Sequence, residues 1–259
     1  MTSVTNQRVH ISVDIEGTTN SSFLAELGNI YGTDQVLIYK VSLKRFVRLS
    51  DIPHTPATSL LKLGKDLLSS TPLFAHNSSN QDGKKYQENH TYTRKNLPPD
   101  TAVVHGHFTP SMFKGVFYNP FISIILKDPL ERMISLYEEW KQKKGGTDWR
   151  VTIPFDNKLS FTDFALQERF NNFQSKCLGN RRLGDYDLVG VAECQPGFIA
   201  QLKNKDWTGY VNSKSKGYPL DKPRFKNLGI TQEFIENYQT VNQMDYAIYL
   251  QAKEFIGYC

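Results

Sequence analysis

The sequence predicts an α/β fold with a central, mainly parallel sheet flanked by helices, and three observations carry that expectation. Short runs rich in β-branched and aromatic residues alternate with stretches whose apolar residues recur at helical spacing. One run, FISIIL over 121–126, is apolar without interruption, the pattern of a strand covered on both faces in a parallel sheet. Polar turns bearing Gly, Thr, Ser or Asp follow apolar runs where a strand would pass into a helix. With 259 residues the chain is long enough for a complete core and reads as one domain, 1–259.

Each element follows from its own residues. Residues 9–13 alternate enough to be a strand, and Phe23, Leu24, Leu27 and Ile30 share one face of the helix expected next. The segment 36–47 is dense in β-branched and aromatic residues and predicts a strand or hairpin. A short helix over 60–68 stops near Thr71 and Pro72. Residues 76–100 are polar and read as a long loop on the substrate side. Residues 102–108, AVVHGHF, form a strand running into a loop, and the buried strand 121–126 follows. Asp128 then suits a helix cap, Pro129 the first turn and Glu131 the acid of a capping box. Leu130, Met133, Ile134, Tyr137 and Trp140 continue at helical spacing up to Gly145 and Gly146. Residues 160–178 read as a further helix, 188–191 as a short buried strand, and 196–202 and 232–256 as the closing helices. Trp140, Trp149 and Trp207 are expected in packing, with stacking on a bound acceptor as the alternative.

Composition excludes several classes. Hydrophobic residues make up 39% and charged residues 22%, outside the disordered and collagen-like ranges. No apolar run approaches the ~18 residues of a membrane span, so no membrane partner is expected. The net charge of +5 is dispersed, and it suits a small anion at least as well as nucleic acid; no nucleic-acid partner is expected. Cys177, Cys194 and Cys259 are sparse and odd in number, which argues against a disulfide framework and a cysteine zinc site. The opening residues show no signal peptide, and a glycan at the Asn20 sequon would block the turn considered next, so a cytoplasmic protein is expected. Oligomeric state is left open.

Two constellations carry chemistry. The first is the turn Gly17, Thr18, Thr19, Asn20 and Ser21 between a strand and a helix. Gly17 allows close backbone approach, and the hydroxyls and backbone N–H groups can face a phosphate. The same residues serve equally as an ordinary N-cap, and the turn lacks the Gly-Lys-Ser/Thr of a Walker A sequence. In the second, Lys127 ends a buried strand, and Arg132 and Ser135 lie on the following helix. Together they can hold a phosphate monoester; alternatively the helix face is solvated, with its charges paired locally.

The string Lys127-Asp128-Pro129-Leu130-Glu131-Arg132-Met133-Ile134-Ser135-Leu136-Tyr137 resembles the 3′-phosphate motif of sulfotransferases that use 3′-phosphoadenosine-5′-phosphosulfate (PAPS), in particular the heparan sulfate 2-O-sulfotransferase-like branch. Other pieces follow in the family's order: the 17–22 turn, His105-Gly106-His107, 171–179, the D-x-x-G-x-x-E stretch at 187–193, and the closing N-x-x-D segment from Asn242 to Tyr249. The resemblance implies a P-loop-like three-layer domain that binds PAPS as co-substrate and needs no metal. It implies a base at His107 with His105 beside it. It assigns the 5′-phosphate to Gly17, Thr18, Thr19, Asn20 and Ser21, and the 3′-phosphate to Lys127 and Ser135, with Arg132 supporting the helix. A basic loop over the nucleotide would use Ser213 and Lys214, which otherwise read as a solvated loop. The acceptor would be a small natural product or a sugar.

Two positions depart from the family's pattern. Lys127 stands where arginine is usual and lacks the bidentate fork. Ile15 stands where the 5′ loop carries a lysine, and Asp14 where it carries a proline. Either another cation such as Lys114 takes the lysine's place, or backbone and hydroxyl donors suffice, or activity is reduced. Two alternatives therefore stand beside the enzyme: a nucleotide-binding pseudoenzyme and a small-molecule P-loop kinase.

Overall fold

A computed structural model describes residues 8–15, 21–40, 45–51, 97–142, 156, 158–179, 181–204 and 222–256. Strands β1 (His10–Val13), β2 (Val36–Lys40), β3 (Arg45–Arg48), β4 (Val103–Gly106), β5 (Phe121–Leu126) and β6 (Leu188–Val191) form one sheet in the order β3-β2-β4-β1-β5-β6. Every neighbouring pair is parallel except β2 and β3, an antiparallel edge pair closing at Lys40 opposite Arg45. The expected strand or hairpin over 36–47 is thus a strand pair. β5 is buried at all six positions and hydrogen-bonded on both sides, to β1 and to β6, which is why its sequence needs no polar alternation.

The described helices are α1 (Ser21–Tyr31), α2 (Pro129–Gln142), α3 (Phe161–Ala165), α4 (Phe173–Leu178), α5 (Gln195–Asn204), α6 (Lys222–Asn227), α7 (Gln232–Val241) and α8 (Gln243–Phe255). Phe23 and Leu27 of α1 pack with Phe198, Ile199 and Leu202 of α5 against Val36, Val103, Phe121 and Ile125, covering one face of the sheet. On the other face, Tyr249, Ala252 and Ile256 join Ile11, Val13, Val104, Ile122 and Ile124. A third cluster binds α2 to α3 and α7 through Trp140, Phe164, Phe234 and Tyr238. Trp140 is therefore a packing residue; Trp149 and Trp207 lie outside the described residues.

Two long helices expected from periodicity are broken. The stretch 160–178 divides into α3, a 3-10 turn (Glu168–Phe170) and α4, because Gln167 and Asn171 are extended, at ψ 130° and 127°, and Asn172 is left-handed at φ 51°. The stretch 232–256 divides at Asn242, whose backbone leaves the helical region and which ends α7 and opens α8. α6 was not expected; its apolar residue Phe225 packs beside Leu228 and Ile230 on the third cluster. The expected helix at 60–68, most of the 76–100 loop and the glycine pair at 145–146 lie outside the described residues.

Cys194, just past β6, is disulfide-bonded, and Cys177 is in no disulfide. An odd, sparse cysteine count excludes a framework of bridges but not a single one. Among the described residues no helix is long and apolar enough to cross a membrane.

Candidate functional site

β4, β1 and β5 run side by side and parallel, so their carboxyl ends open on the same edge of the sheet, the position where α/β folds bind ligands. At the end of β4 the chain must pass tightly against β2. Gly106 permits this: its φ is +153°, and a Cβ there would lie 2.8 Å from the Tyr39 Cβ. The residue after it, His107, lies just past the strand end and meets Asp14 of the neighbouring β1.

Alternation along β1 sends Ile11, Val13 and Ile15 into the apolar cluster on the α8 face. His10, Ser12 and Asp14 occupy the alternate positions. The His10 ring lies 5.6 Å from Tyr31 of α1, and His105 lies 5.5 Å from Phe23. A polar row therefore runs beneath α1. His10 Nε2 meets Ser123 Oγ at 2.7 Å, and His105 Nδ1 meets Ser12 Oγ at 3.0 Å. Asp14 Oδ2 closes the row, 3.7 Å from His105 Nε2 and 3.2 Å from His107 Nε2. The backbone fixes this meeting, since the Asp14 N–H donates to Gly106 O at 2.9 Å. Burial, with the nearby His105, pushes the His10 imidazole down to about 3, so it is neutral at neutral pH.

Exposure sorts the two strand-end histidines. The His105 side chain is 3% exposed and serves the row, whereas His107 is 16% exposed and Asp14 12%. An imidazole against a carboxylate at a strand end can take a proton and have the resulting cation stabilised. Asp14 is the residue that sequence reasoning missed. In the sequence it stands out only as a departure from a motif, although it shares the parity of His10 and Ser12 in β1.

A second pair stands at the end of the neighbouring strand, β5. Lys127 Nζ donates to Ser135 Oγ at 2.8 Å, joining the strand end to the second turn of α2. Asp128 caps α2 as expected, its Oδ1 accepting from Leu130 N and Glu131 N at 3.0 Å each. Burial lowers the Lys127 ammonium below its ordinary range, against Glu131 and Glu193, which favour its charge, and with Arg224 and Arg132, which oppose it. A lysine and a hydroxyl held together at a strand end can bind anionic oxygens. Arg132 is fully buried, with its guanidinium 5.0 Å over the Phe173 ring and none of its nitrogens in a well-formed hydrogen bond. It lies below the surface that a ligand could reach.

Other motif positions are architectural. Asp187 holds Arg8 and the Ile122 N–H at the opposite edge of the sheet. Glu193 accepts from the Tyr249 hydroxyl at 2.9 Å. Ile15 is fully buried, so the position that the motif gives to a lysine faces the core here. Lys114 is exposed, just after the 3-10 turn Pro110–Phe113. Ser21 opens α1 directly after the turn. Gly17, Thr18, Thr19, Asn20, Ser213 and Lys214 lie outside the described residues. Among the described residues no group of three or more His, Cys, Asp or Glu is arranged to hold a metal ion.

Compared with known proteins, the chain matches no family model and no curated protein.

Proposed function

We propose that the chain is a PAPS-dependent sulfotransferase of P-loop-like, three-layer architecture, transferring a sulfuryl group to the hydroxyl of a small natural product or a sugar. The observation that carries this reading is the placement of two chemically distinct pairs, His107 with Asp14 and Lys127 with Ser135, at the carboxyl ends of adjacent parallel strands. One pair suits proton removal and the other suits an anion, and sulfuryl transfer from a nucleotide needs both.

In this reading Lys127 Nζ and Ser135 Oγ hold the 3′-phosphate. The turn Gly17, Thr18, Thr19, Asn20 and Ser21 holds the 5′-phosphate, and Ser213 and Lys214 close over the nucleotide. The nucleotide supplies the sulfuryl group: its S–O bond to the 5′-phosphate breaks as the acceptor oxygen bonds to sulfur, and adenosine 3′,5′-bisphosphate leaves. His107 takes the acceptor's proton at Nδ1, the nitrogen turned away from Asp14, and Asp14 stabilises the imidazolium. Nδ1 is covered in the structure, so acceptor binding must uncover it. His105 keeps Asp14 in place. No role falls to a metal, a nucleic acid or a membrane. A cytoplasmic location belongs to the same proposal, and the Cys194 disulfide opposes it, because such bonds persist in oxidising compartments.

One observation favours a second reading, nucleotide binding without turnover. Ile15 fills the core where the motif has a lysine, and Asp14, where the motif has a proline, sets a carboxylate beside His107. A PAPS turnover assay over a panel of sugar and phenolic acceptors, run beside calorimetric titration with adenosine 3′,5′-bisphosphate, decides between them. Turnover with binding supports the enzyme, binding without turnover the second reading, and ATP-dependent phosphorylation without PAPS overturns both.

A further inference from the structure

The segment that follows α3 is built in a way that neither pair explains. Gln174, fully buried on α4, spends its whole side-chain amide on one residue: Oε1 accepts from Lys127 N at 3.0 Å, and Nε2 donates to Lys127 O at 2.8 Å. Lys127 lies just beyond β5, where the strand ladder has ended, so these two bonds replace the sheet as the support of its backbone. Gln174 is itself held from α8. Asp245, also fully buried, accepts from Gln174 N at 3.0 Å through Oδ2, and from Ser175 N and Ser175 Oγ at 2.8 Å each through Oδ1.

The hold is reciprocal. Asn172 Oδ1 accepts from Met244 N at 3.0 Å and Asp245 N at 3.3 Å, Asn172 Nδ2 donates to Val241 O, and Asn242 Oδ1 accepts from Asn172 N at 2.9 Å. α8 thus caps α4 and α4 caps α8, with the left-handed Asn172 as the shared corner. Between Asn172 and Gln174, Phe173 carries the ring beneath the Arg132 guanidinium. One short turn therefore sets the backbone of Lys127 and packs the second cation of the same motif.

We infer that Gln174 and Asp245 are positioning residues for the Lys127–Ser135 pair, and that they set the preference for a nucleotide bearing a 3′-phosphate over one without it. The inference rests on the nucleotide reading above. Lys127 reaches Ser135 Oγ only from a strand end held in one conformation. Lysine offers one ammonium and no planar fork, so its reach to Ser135 depends on where its backbone is held. A residue that merely stabilised the fold would affect all ligands alike; this brace acts on one phosphate.

The test is calorimetric titration of the wild type, Gln174→Leu and Gln174→Glu with adenosine 3′,5′-bisphosphate and with adenosine 5′-monophosphate. Gln174→Leu should weaken the bisphosphate about tenfold or more, the scale of lost buried hydrogen bonds, and leave the monophosphate unchanged. Gln174→Glu keeps the acceptor and loses the donor, and should fall between; it also serves if the leucine variant does not fold. A wild type that binds neither nucleotide, or both equally, overturns the nucleotide reading and this inference with it. A wild-type preference kept in both variants, or an equal loss for both nucleotides, overturns this inference alone.

Discussion

His105 and His107 come from one tripeptide, yet His105 is buried and His107 is the more exposed, because β4 ends between them at Gly106. Replacing His107 with alanine should abolish turnover while nucleotide affinity, read by calorimetry, stays near wild type; an unchanged kcat removes it as the base. Asp14→Asn should lower kcat by about 10²–10⁴ with the nucleotide Kd unmoved, the span of a general-base contribution. Ser135→Ala or Lys127→Ala should weaken adenosine 3′,5′-bisphosphate by about 1–3 kcal/mol. Burial lowers the Lys127 pKa from 10.5, so the charge proposed to hold the phosphate is lost at a lower pH than for an ordinary lysine. Affinity should therefore decline with rising pH before 10.5 is reached, and Lys127→Arg should flatten the decline. His10 shows the opposite sense for stability. It stays neutral in the fold down to about 3, while the unfolded chain takes up a proton near 6.5. Stability contributed by His10 is thus present above 6.5 and falls as pH drops toward 3, at up to roughly 1.4 kcal/mol per pH unit. Denaturant midpoints at pH 7 and pH 4.5 measure the fall, and His10→Gln should reduce it.

At the scale of elements, the sheet was the readable part. FISIIL needed no partner information, because a strand buried on both faces is apolar at every position. The Asp128 cap of α2 was equally local, since it accepts from Leu130 N and Glu131 N within one turn, whereas the Glu131 carboxylate meets Arg224, 93 residues away. The helices at 160–178 and 232–256 were not readable as they stand. Their apolar spacing is helical, but the corners at Asn172 and Asn242 are tied to each other by a hydrogen bond between residues 70 apart, which no local pattern shows. Gly106 is the element-scale test of the site's frame. Gly106→Ala would place a Cβ 2.8 Å from Tyr39 Cβ at a φ that L residues avoid, and should cost roughly 2 kcal/mol or more. A lowered thermal midpoint checks it, and an unchanged one shows that β2 and β4 can separate there without cost.

For the whole molecule, the parallel order β4-β1-β5 turns three distant segments into one edge. The tripeptide at 105–107 and the string at 127–137 could each be found locally, but their adjacency could not, because strand order is not written in either. Asp14 was missed for the same reason: its partner lies on a neighbouring strand, and only the register of β1 with β4 brings them together. The modest net charge of +5 suffices for a single anion, since Lys127 supplies a cation at a buried strand end rather than on a diffuse basic surface. The most direct test is a crystal structure of the protein with adenosine 3′,5′-bisphosphate. The 3′-phosphate should lie on Lys127 Nζ and Ser135 Oγ, with the 5′-phosphate toward residues 17–21 and His107. A nucleotide bound elsewhere, or no binding at millimolar concentration, would contradict it.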